Sequence, residues 1–524
     1  MKKLFLSSRR FIKEHPRTDV IALLLGLAIF ATIAAFHITQ ASLWFDEAFS
    51  AYLSHFNFWD IARFTLNDVH PPFYYWMLKI WTSAFGATEV AYRSLSILFG
   101  AAAIATAFFL SRKLFGRRVA WLALLFMSIS PMLIRYGDEA RMYTLSALIV
   151  MLATYALVKA RETNQRSMWV VYGVLVALGM WTHYFTALAW LAHWIWWAIE
   201  TWRMHPTRKG FLKKMFSGNW ILAYGLAVVI FLPWLPFMAK QLGGVQGGGF
   251  WIGAVGAYTP TNFLSNYFYY LEHWQVLSWL ALALFYIIVV AFLALPRAYR
   301  SLKKSEKSSF LLVTILTWAP VVLLFLASLP PLRSSFVERY LLPSYVALSV
   351  FLAVVLVVGT KKWKPVWRVL PVVVVVGMMT IGITDVYYYG NYNKNTNTHI
   401  LTRETVQLAQ QNSPAGTPIV ASSPWIFYEA VPYSTPEHPV FFMDENTQYD
   451  YGSLDMLKYS DDHKIKDMVQ FAKENPIIWY LGSTEDDDMT PYDSSWVKIK
   501  TVGAYDSINN NVRYKATKFR ISAE

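Results

Sequence analysis

Two pairs of adjacent acidic residues lie just beyond long apolar segments. Asp46 and Glu47 occur in SLWFDEAFSAY, and Asp138 and Glu139 occur in IRYGDEARMYTL. A positioned carboxylate can take the proton of an acceptor hydroxyl, which is a weak nucleophile at neutral pH, and this typically accelerates a reaction by about 10² to 10⁴-fold. The two pairs therefore predict general-base chemistry.

Each pair also has a structural interpretation. The first pair suits the N-terminus of an interfacial helix, where carboxylates accept free N–H groups and oppose the helix dipole. In the second segment, Arg135 with Glu139 and Asp138 with Arg141 have the i,i+4 and i,i+3 spacings of local salt bridges. The presence of two such pairs, each near aromatic residues and arginine, favours a functional site.

Arginines close to these segments are candidates for phosphate binding. Arg141 follows the second pair, and Arg339 and Tyr340 lie in FVERYLLPSY at the start of an apolar stretch. A guanidinium fork binds phosphate oxygens bidentately and stabilises charge on a departing phosphate. Arg339 could instead extend its side chain to the membrane interface. We predict a donor-phosphate site that contains Arg141, Arg339 and Tyr340.

Polar aromatic residues provide further candidate substrate contacts. His70 and Tyr74 occur in NDVHPPFYYW, and His183 and Tyr184 occur in WTHYF. His70 could equally cap the helix that the two prolines open, since proline is tolerated in a first helical turn. The WTHYF residues could belong to an ordinary aromatic belt at the membrane interface. Both alternatives stay open on the sequence.

The elements that must position these residues are membrane spans. Hydrophobic residues make up 56% of the 524 residues and charged residues only 15%, a composition far more apolar than a soluble protein requires. Crossing the hydrocarbon core takes about 20 largely apolar residues. Eleven such stretches are predicted, at 20–38, 92–110, 118–134, 142–159, 168–182, 185–200, 219–238, 274–295, 309–329, 339–358 and 367–386.

The net charge of +14 does not indicate a nucleic-acid partner, because the basic residues cluster in alternate loops. More than half of the 47 Lys and Arg residues lie in six such loops. This asymmetry follows the positive-inside rule and predicts a cytoplasmic N-terminus. The first apolar stretch is predicted to be a span, because no small-residue cleavage site follows it. The sequence has no cysteine, which excludes disulfides and thiolate metal sites.

Three predicted outer segments are long enough to fold. Residues 39–91 carry amphipathic patterns typical of interfacial helices. Residues 239–273 contain GGVQGGGFWIGAVGAYTP, which lacks the GK[ST] ending of a P-loop and is predicted to be a flexible loop over the substrate path, or else a passive linker. Residues 395–524 alternate short apolar strands with helical patterns. The predicted fold is an all-α polytopic membrane domain, residues 1–390, with a C-terminal extracytoplasmic α/β domain.

These motifs resemble the GT-C class of membrane glycosyltransferases, in particular the branch of the protein O-mannosyltransferases and the lipid A aminoarabinose transferase. The resemblance rests on LWFDEAFSAY followed by NDVHPPFYYWMLKIW, on RYGDEARMYTL and on FVERYLLPSYVAL. It covers most of residues 20–360 in order and topology. No single motif is specific, but their combination is.

The resemblance implies inverting transfer of a sugar from a polyprenyl-monophosphate donor at the outer leaflet, in a multi-pass protein of the bacterial plasma membrane. By this match, Asp46 is the general base and Glu47 supports the site, while Asp138, Glu139 and Arg141 line the same cavity. The implied partners are the lipid donor, membrane lipids and a glycan, lipid or protein acceptor. The sugar and the acceptor are not determined.

A metal-dependent site and two other functional classes are the alternatives to this interpretation. Carboxylates near His70 could hold a divalent metal, but arginines could neutralise a monophosphate, so no metal or other cofactor is predicted to be obligatory. A transporter or flippase of lipid-linked glycans usually keeps ionisable residues near the bilayer midplane, whereas the candidates here lie in outer loops. A non-catalytic subunit would tolerate alanine at Asp46.

Overall fold

The computed structural model describes residues 17–247, 252–270, 278–388, 401–444, 452–483, 495–505, 512 and 514–521. The middle of the glycine-rich segment, residues 248–251, lies outside this range, as does the predicted domain boundary at 390–395. Helices dominate the part that precedes residue 389. In chain order they are α1 Arg17–Ala35, α2 Phe45–Leu53, α3 Phe58–Thr65, α4 Phe73–Phe85, α5 Glu89–Phe115, α6 Arg117–Ser128, α7 Pro131–Arg135, α8 Tyr143–Thr163, α9 Arg166–Thr182, α10 Thr186–Met204, α11 Arg208–Met215, α12 Asn219–Phe231, α13 Leu235–Gly247, α14 Thr259–Tyr269, α15 Ser278–Ser301, α16 Lys304–Ala327, α17 Leu342–Val354 and α18 Pro365–Tyr388.

Many of these helices are long and apolar enough to cross a membrane. Among the described residues, eight candidate spans meet both conditions: Arg17–Ala35, Glu89–Phe115, Tyr143–Thr163, Asn219–Gly243, Trp279–Ser301, Lys304–Ala327, Glu338–Gly359 and Pro365–Tyr388. Helices α6, α9 and α10 occupy the three other predicted stretches, but α6 and α9 have only 12 and 17 residues. The prediction of an all-α polytopic membrane domain is confirmed, whereas the number of eleven spans and their orientation stay predictions.

Local sequence determines where several helices begin and end. The side chain of Thr88 accepts the N–H of Ala91 at 3.2 Å and caps α5. Gly116 ends α5 at a φ of +85°, a conformation that glycine adopts without a Cβ clash. Helix α6 begins at the next residue. The chain therefore reverses between α5 and α6 over a single residue.

Two central helices begin beside the candidate residues. Helix α8 and the segment Glu338–Gly359 are the most buried of the eight candidate spans. The first starts two residues after Arg141, and the second starts with the turn that contains Arg339 and Tyr340. Because packed interiors are close to crystalline density, these two helices hold their N-terminal residues in fixed positions.

The C-terminal part forms a small α/β domain, as predicted. Its elements are α19 Thr402–Gln411, β1 Ile419–Ala421, α20 Pro424–Ala430, β2 Val440–Met443, β3 Lys464–Ile465, α21 Met468–Glu474, β4 Ile477–Ser483, β5 Val497–Val502 and β6 Tyr514–Arg520. The sheet order is β3-β2-β1-β4-β6-β5. Strands β3, β2, β1 and β4 pair in parallel, and β6 and β5 add antiparallel. Only β3 lacks a sequence signal, because two residues carry no periodicity.

This domain packs against α2, the helix that carries the first acidic pair. The Tyr428 ring of α20 lies between 5.7 and 5.8 Å from the rings of Phe45, Phe49 and Tyr52, in edge-to-face contacts. Such aromatic pairs contribute about 0.5–1.5 kcal/mol each beyond the area they bury. One face of α2 is thereby held by the C-terminal domain.

A polar network joins the same two parts of the protein. Arg403 at the start of α19 bonds to Glu89 at 2.5 Å and to the carbonyl oxygens of Thr39 and Gln40 at 2.8 and 3.0 Å. The Tyr433 hydroxyl donates to Glu89 at 2.6 Å. The C-terminal domain is therefore attached to the loop that leads into α2 by charge-assisted hydrogen bonds, which are stronger than neutral ones.

Candidate functional site

The neighbours Asp46 and Glu47 occupy different environments in the first turn of α2. Glu47 is fully buried and accepts two hydrogen bonds from Arg93, at 3.0 and 2.6 Å. It also accepts the backbone N–H of Ala140, at 3.0 Å. Glu47 therefore connects α2 to α5 and to the second acidic segment. This arrangement positions the site and leaves Glu47 without contact to solvent.

Asp46 is the acidic residue that remains accessible. Its side chain is 21% exposed, and its carboxylate lies 3.8 Å from the Arg141 Nε and 3.7 Å from the Arg339 Nη2. Both separations exceed a direct hydrogen bond. Three segments far apart in the sequence thus bring one carboxylate and two guanidinium groups together.

Arg141 is surrounded by polar groups of the first outer loop. Its guanidinium lies 3.4 Å from the Ser50 Oγ, 3.3 Å from the Tyr75 hydroxyl and 3.4 Å from the His70 Nδ1. All three contacts are long, so each is weak. Arg141 is nevertheless almost completely buried. Asp46 and Asp68 both act on this cation electrostatically, and the weak hydrogen bonds to neutral groups leave Arg141 suited to bind a further anion.

His70 lies beside Asp68, a residue that the sequence analysis missed. The His70 Nδ1 is 3.4 Å from the Asp68 carboxylate. Burial raises the pKa of Asp68, but the hydrogen bond and charge of His70 outweigh it, so that this pKa falls below its usual value. Burial lowers the pKa of His70. This effect is larger than the increase that the bond to Asp68 causes, so the pKa of His70 lies below its usual value. The His70 ring is 5.5 Å from the His183 ring, so the structure brings these two predicted contacts together.

Aromatic residues form the far side of the site. The Tyr340 ring stacks on Phe185 with centroids 4.5 Å apart and lies 4.8 Å from the His183 ring. Burial holds the pKa of His183 well below its usual value, and the positive charges of the site act in the same direction. His183 is therefore neutral at neutral pH. The Tyr184 hydroxyl donates to Gln241 and accepts from Trp234.

Tyr143 and Tyr75 lie close to the site but have no role in the sequence analysis, whereas Tyr74 was predicted as a substrate contact. Tyr143, the first residue of α8, is buried, and its ring faces the Arg339 guanidinium at 5.4 Å. Within the described residues its hydroxyl has no hydrogen-bond partner. Tyr74 is fully buried with its hydroxyl 3.5 Å from Ser96, and its neighbour Tyr75 is the residue that reaches Arg141.

The second acidic pair is buried behind these groups. Glu139 forms the i,i+4 salt bridge with Arg135 that its spacing indicates, at 2.7 Å, and Arg135 also donates to the Tyr270 hydroxyl at 3.0 Å. Asp138 is 1% exposed and lies within electrostatic range of Arg93. The Arg141 side chain points to Asp46. The local salt-bridge interpretation therefore describes Glu139 well.

The sequence contains a signal that predicts a buried ionic partner for Arg93. It is a charged residue in the outer third of an otherwise apolar span, in EVAYRSLSILFG. A charge in such a position is costly and requires a partner. The structure supplies that partner as Glu47 and adds the carbonyl oxygens of Ile38, Ala41 and Ser42, at 2.6, 2.9 and 3.0 Å.

An apolar cavity of about 340 Å³ opens beside the site. Polar groups stand at one end and aliphatic side chains of α10 and α13 line the rest. Its lining includes His70, His183, Tyr340, Leu188, Met238 and Leu242. Of these residues, His70 contacts Arg141 and Tyr340 follows Arg339 in the chain, so the cavity offers an apolar chain a place next to the surroundings of the two arginines.

The residues described contain no group of three or more His, Asp or Glu side chains arranged to hold a metal ion. Asp68 with His70 is the nearest pair to such an arrangement. The prediction that no metal is obligatory stays a prediction.

Sequence comparison identifies one related family. The model of the dolichyl-phosphate-mannose-protein mannosyltransferases matches residues 69–237, a segment that contains His70, the second acidic pair and His183. None of the curated proteins matches the sequence significantly.

Structure comparison covers nearly the whole chain. ArnT from Cupriavidus metallidurans in the apo state is 14% identical with a TM-score of 0.61, over 94% of this chain and 97% of that one. ArnT bound to undecaprenyl phosphate is 13% identical with a TM-score of 0.61, over 96% and 98%. The archaeal oligosaccharyltransferase AglB from Archaeoglobus fulgidus, in complex with an inhibitory peptide and a dolichol-phosphate, is 12% identical with a TM-score of 0.50, over 90% and 70%.

At these identities the likeness establishes the fold. The chain is an integral multi-pass membrane protein with the GT-C fold, and it resembles the dolichyl-phosphate-mannose-protein mannosyltransferases and ArnT.

Proposed function

We propose that this protein transfers a sugar from a polyprenyl-monophosphate donor to a hydroxyl or amine of an envelope acceptor at the outer face of the membrane. One observation carries the proposal: the accessible Asp46 carboxylate lies within 4 Å of the buried Arg141 and of Arg339, which is 12% exposed. The apolar cavity is lined by His70, which contacts Arg141, and by Tyr340, the neighbour of Arg339. A base, an anion site and an apolar groove are the three features that such a reaction requires.

The reaction follows from these groups. Asp46 accepts the proton of the acceptor O–H as that oxygen forms a bond to the anomeric carbon. The bond between the anomeric carbon and the phosphate oxygen breaks, and its electron pair stays on the polyprenyl phosphate. Attack from the side opposite to the leaving group inverts the anomeric configuration. Arg141 and Arg339 stabilise the added negative charge electrostatically, which is often the largest single contribution to catalysis.

Known lipid partners of similar proteins support the donor class. ArnT has been solved with undecaprenyl phosphate and AglB with a dolichol-phosphate, and the matching family is described by a dolichyl-phosphate sugar. Both guanidinium groups lie within 4 Å of Asp46, so a phosphate that they bind would lie close to the base.

The test uses purified protein in lipid nanodiscs, with radiolabelled polyprenyl-phosphate sugars and an extract of envelope acceptors. We expect wild type to release polyprenyl phosphate from one donor, and Asp46→Asn to reduce the rate by at least about 10²-fold. Asp60→Asn, which removes an exposed carboxylate of the same loop, should retain activity.

Equal rates for wild type and Asp46→Asn would remove the assigned role of Asp46. Absence of sugar transfer from every polyprenyl-phosphate donor would refute the proposed function itself. Thermal unfolding of each variant serves as the folding control.

A further inference from the structure

A second cavity lies at the end of the helical bundle opposite to Asp46. It has a volume of about 420 Å³ and is lined by Arg118, Leu122, Leu356, Thr360, Arg368 and Val369, among others. Arg339 stands at the opposite end of the same 22-residue span that ends beside Thr360. At 1.5 Å per helical residue this span is about 33 Å long. The cavity is therefore separate from the candidate active site.

Two arginines at this cavity have no acidic partner among the residues that the structure describes. Nearby, Arg112 and Arg117 both pair with the buried Asp19, at 2.6 Å. Arg118 and Arg368 are exposed, and within the described part of the chain neither forms an ion pair or a side-chain hydrogen bond. The lining of the cavity thus contains two guanidinium groups that are available to an anionic ligand.

The walls of the cavity are aliphatic and continue onto the lipid-facing surface. Leu122, Leu356 and Val372 line it, and the adjoining Val366 and Val369 are 61% and 59% exposed on the outside of α18. These exposed aliphatic side chains of a spanning helix face acyl chains. A ligand with an anionic head and apolar tails fits this arrangement, whereas a free anion would leave the aliphatic walls unused.

The backbone around the cavity is built for close packing. Residues Val355–Gly359 form a π-helical turn at the end of the span. A Cβ on Gly359 would lie 2.4 Å from the carbonyl oxygen of Ala294 in α15, so only glycine allows this approach. This close approach fixes the turn that carries Leu356, Val357 and Thr360 of the cavity lining.

We propose that this cavity binds an anionic phospholipid, with Arg118 and Arg368 on its headgroup phosphate and the aliphatic walls against its acyl chains. Guanidinium groups bind phosphate oxygens bidentately, and basic pockets between membrane helices are a recognised type of headgroup site. The sequence predicts this end of the bundle to be cytoplasmic from its basic loops. The inference does not depend on the proposed function.

Native mass spectrometry of the purified full chain tests this site. The probe is phosphatidylglycerol, titrated against the wild type and against Arg118→Gln combined with Arg368→Gln. We expect at least about tenfold weaker binding of one lipid molecule in the double variant, since each basic residue contributes to headgroup attraction. The matched control is Arg166→Gln combined with Arg208→Gln, which removes two exposed arginines outside the cavity.

Each alternative outcome overturns the proposal. Equal weakening in the control variant would show that surface charge alone attracts the lipid. Equal binding of phosphatidylcholine would show that the arginines do not select an anionic headgroup. Displacement of the lipid by glycerol phosphate at equal concentration would show that the site holds a soluble phosphate compound. An unchanged unfolding midpoint confirms that the variants are folded.

Discussion

Replacing Glu47 with alanine should destabilise the protein strongly, although the neighbouring Asp46 can be changed without this cost. Glu47 is 0% exposed and Arg93 is 2% exposed. Removing one partner of a buried ion pair typically costs about 3–5 kcal/mol, because the other charge stays buried. Arg93 keeps three bonds to carbonyl oxygens. We therefore expect a loss near the lower limit, about 3 kcal/mol.

The assay is thermal unfolding of the detergent-solubilised protein. The matched control is Glu162→Ala, which breaks the Lys113–Glu162 pair, whose side chains are 25% and 46% exposed. An exposed pair of this kind contributes about 0–1 kcal/mol. Glu47→Ala should lower the unfolding midpoint several times more than the control does. Glu47→Leu combined with Arg93→Leu should unfold above Glu47→Ala, because no unpaired charge remains.

Two results would refute this reasoning. If Glu47→Ala unfolds at the same temperature as Glu162→Ala, the buried pair does not hold α2 in place. If the double leucine variant is less stable than Glu47→Ala, the destabilisation comes from lost packing and lost hydrogen bonds, and not from the unpaired Arg93.

Two further predictions concern pH and the C-terminal domain. Because the pKa of His183 is lowered in the folded state, the unfolded state binds a proton near pH 6.5 that the folded state does not. Stability therefore falls below that pH by up to about 1.4 kcal/mol per pH unit. His183→Gln should reduce the fall of the unfolding midpoint between pH 7 and 5, whereas the exposed His205→Gln should not. Arg403→Ala removes the bonds to Glu89 and to residues 39–40 and should increase amide hydrogen exchange in residues 36–44, whereas Lys473→Ala should leave it unchanged.

Local patterns in the sequence were enough to predict the fold class. Long apolar runs must be helical in a membrane, because backbone groups there have no water to bond with. The short apolar runs PIVAS, PVFFM and PIIWYLG, which alternate with helical patterns, predict strands for the same kind of local reason. These signals depend on neighbours in the chain, so one sequence reveals them.

The same local patterns predicted only part of the site. The sequence identified Asp46 as the base and Arg141 and Arg339 as the donor-phosphate site, and the spacing of Arg135 and Glu139 predicted their salt bridge. It did not show that Arg141 turns towards Asp46, a contact between residues 95 positions apart along the chain.

Only the tertiary structure separates the two acids of the first pair. Successive residues on a helix project about 100° apart, so Asp46 faces the arginines and the open site while Glu47 faces Arg93 and the backbone of Ala140. The sequence determined that a carboxylate pair stands at the membrane surface. Which of the two is free for chemistry depends on the partners that packing brings to each face, and these come from α5 and from the segments before α8 and α17.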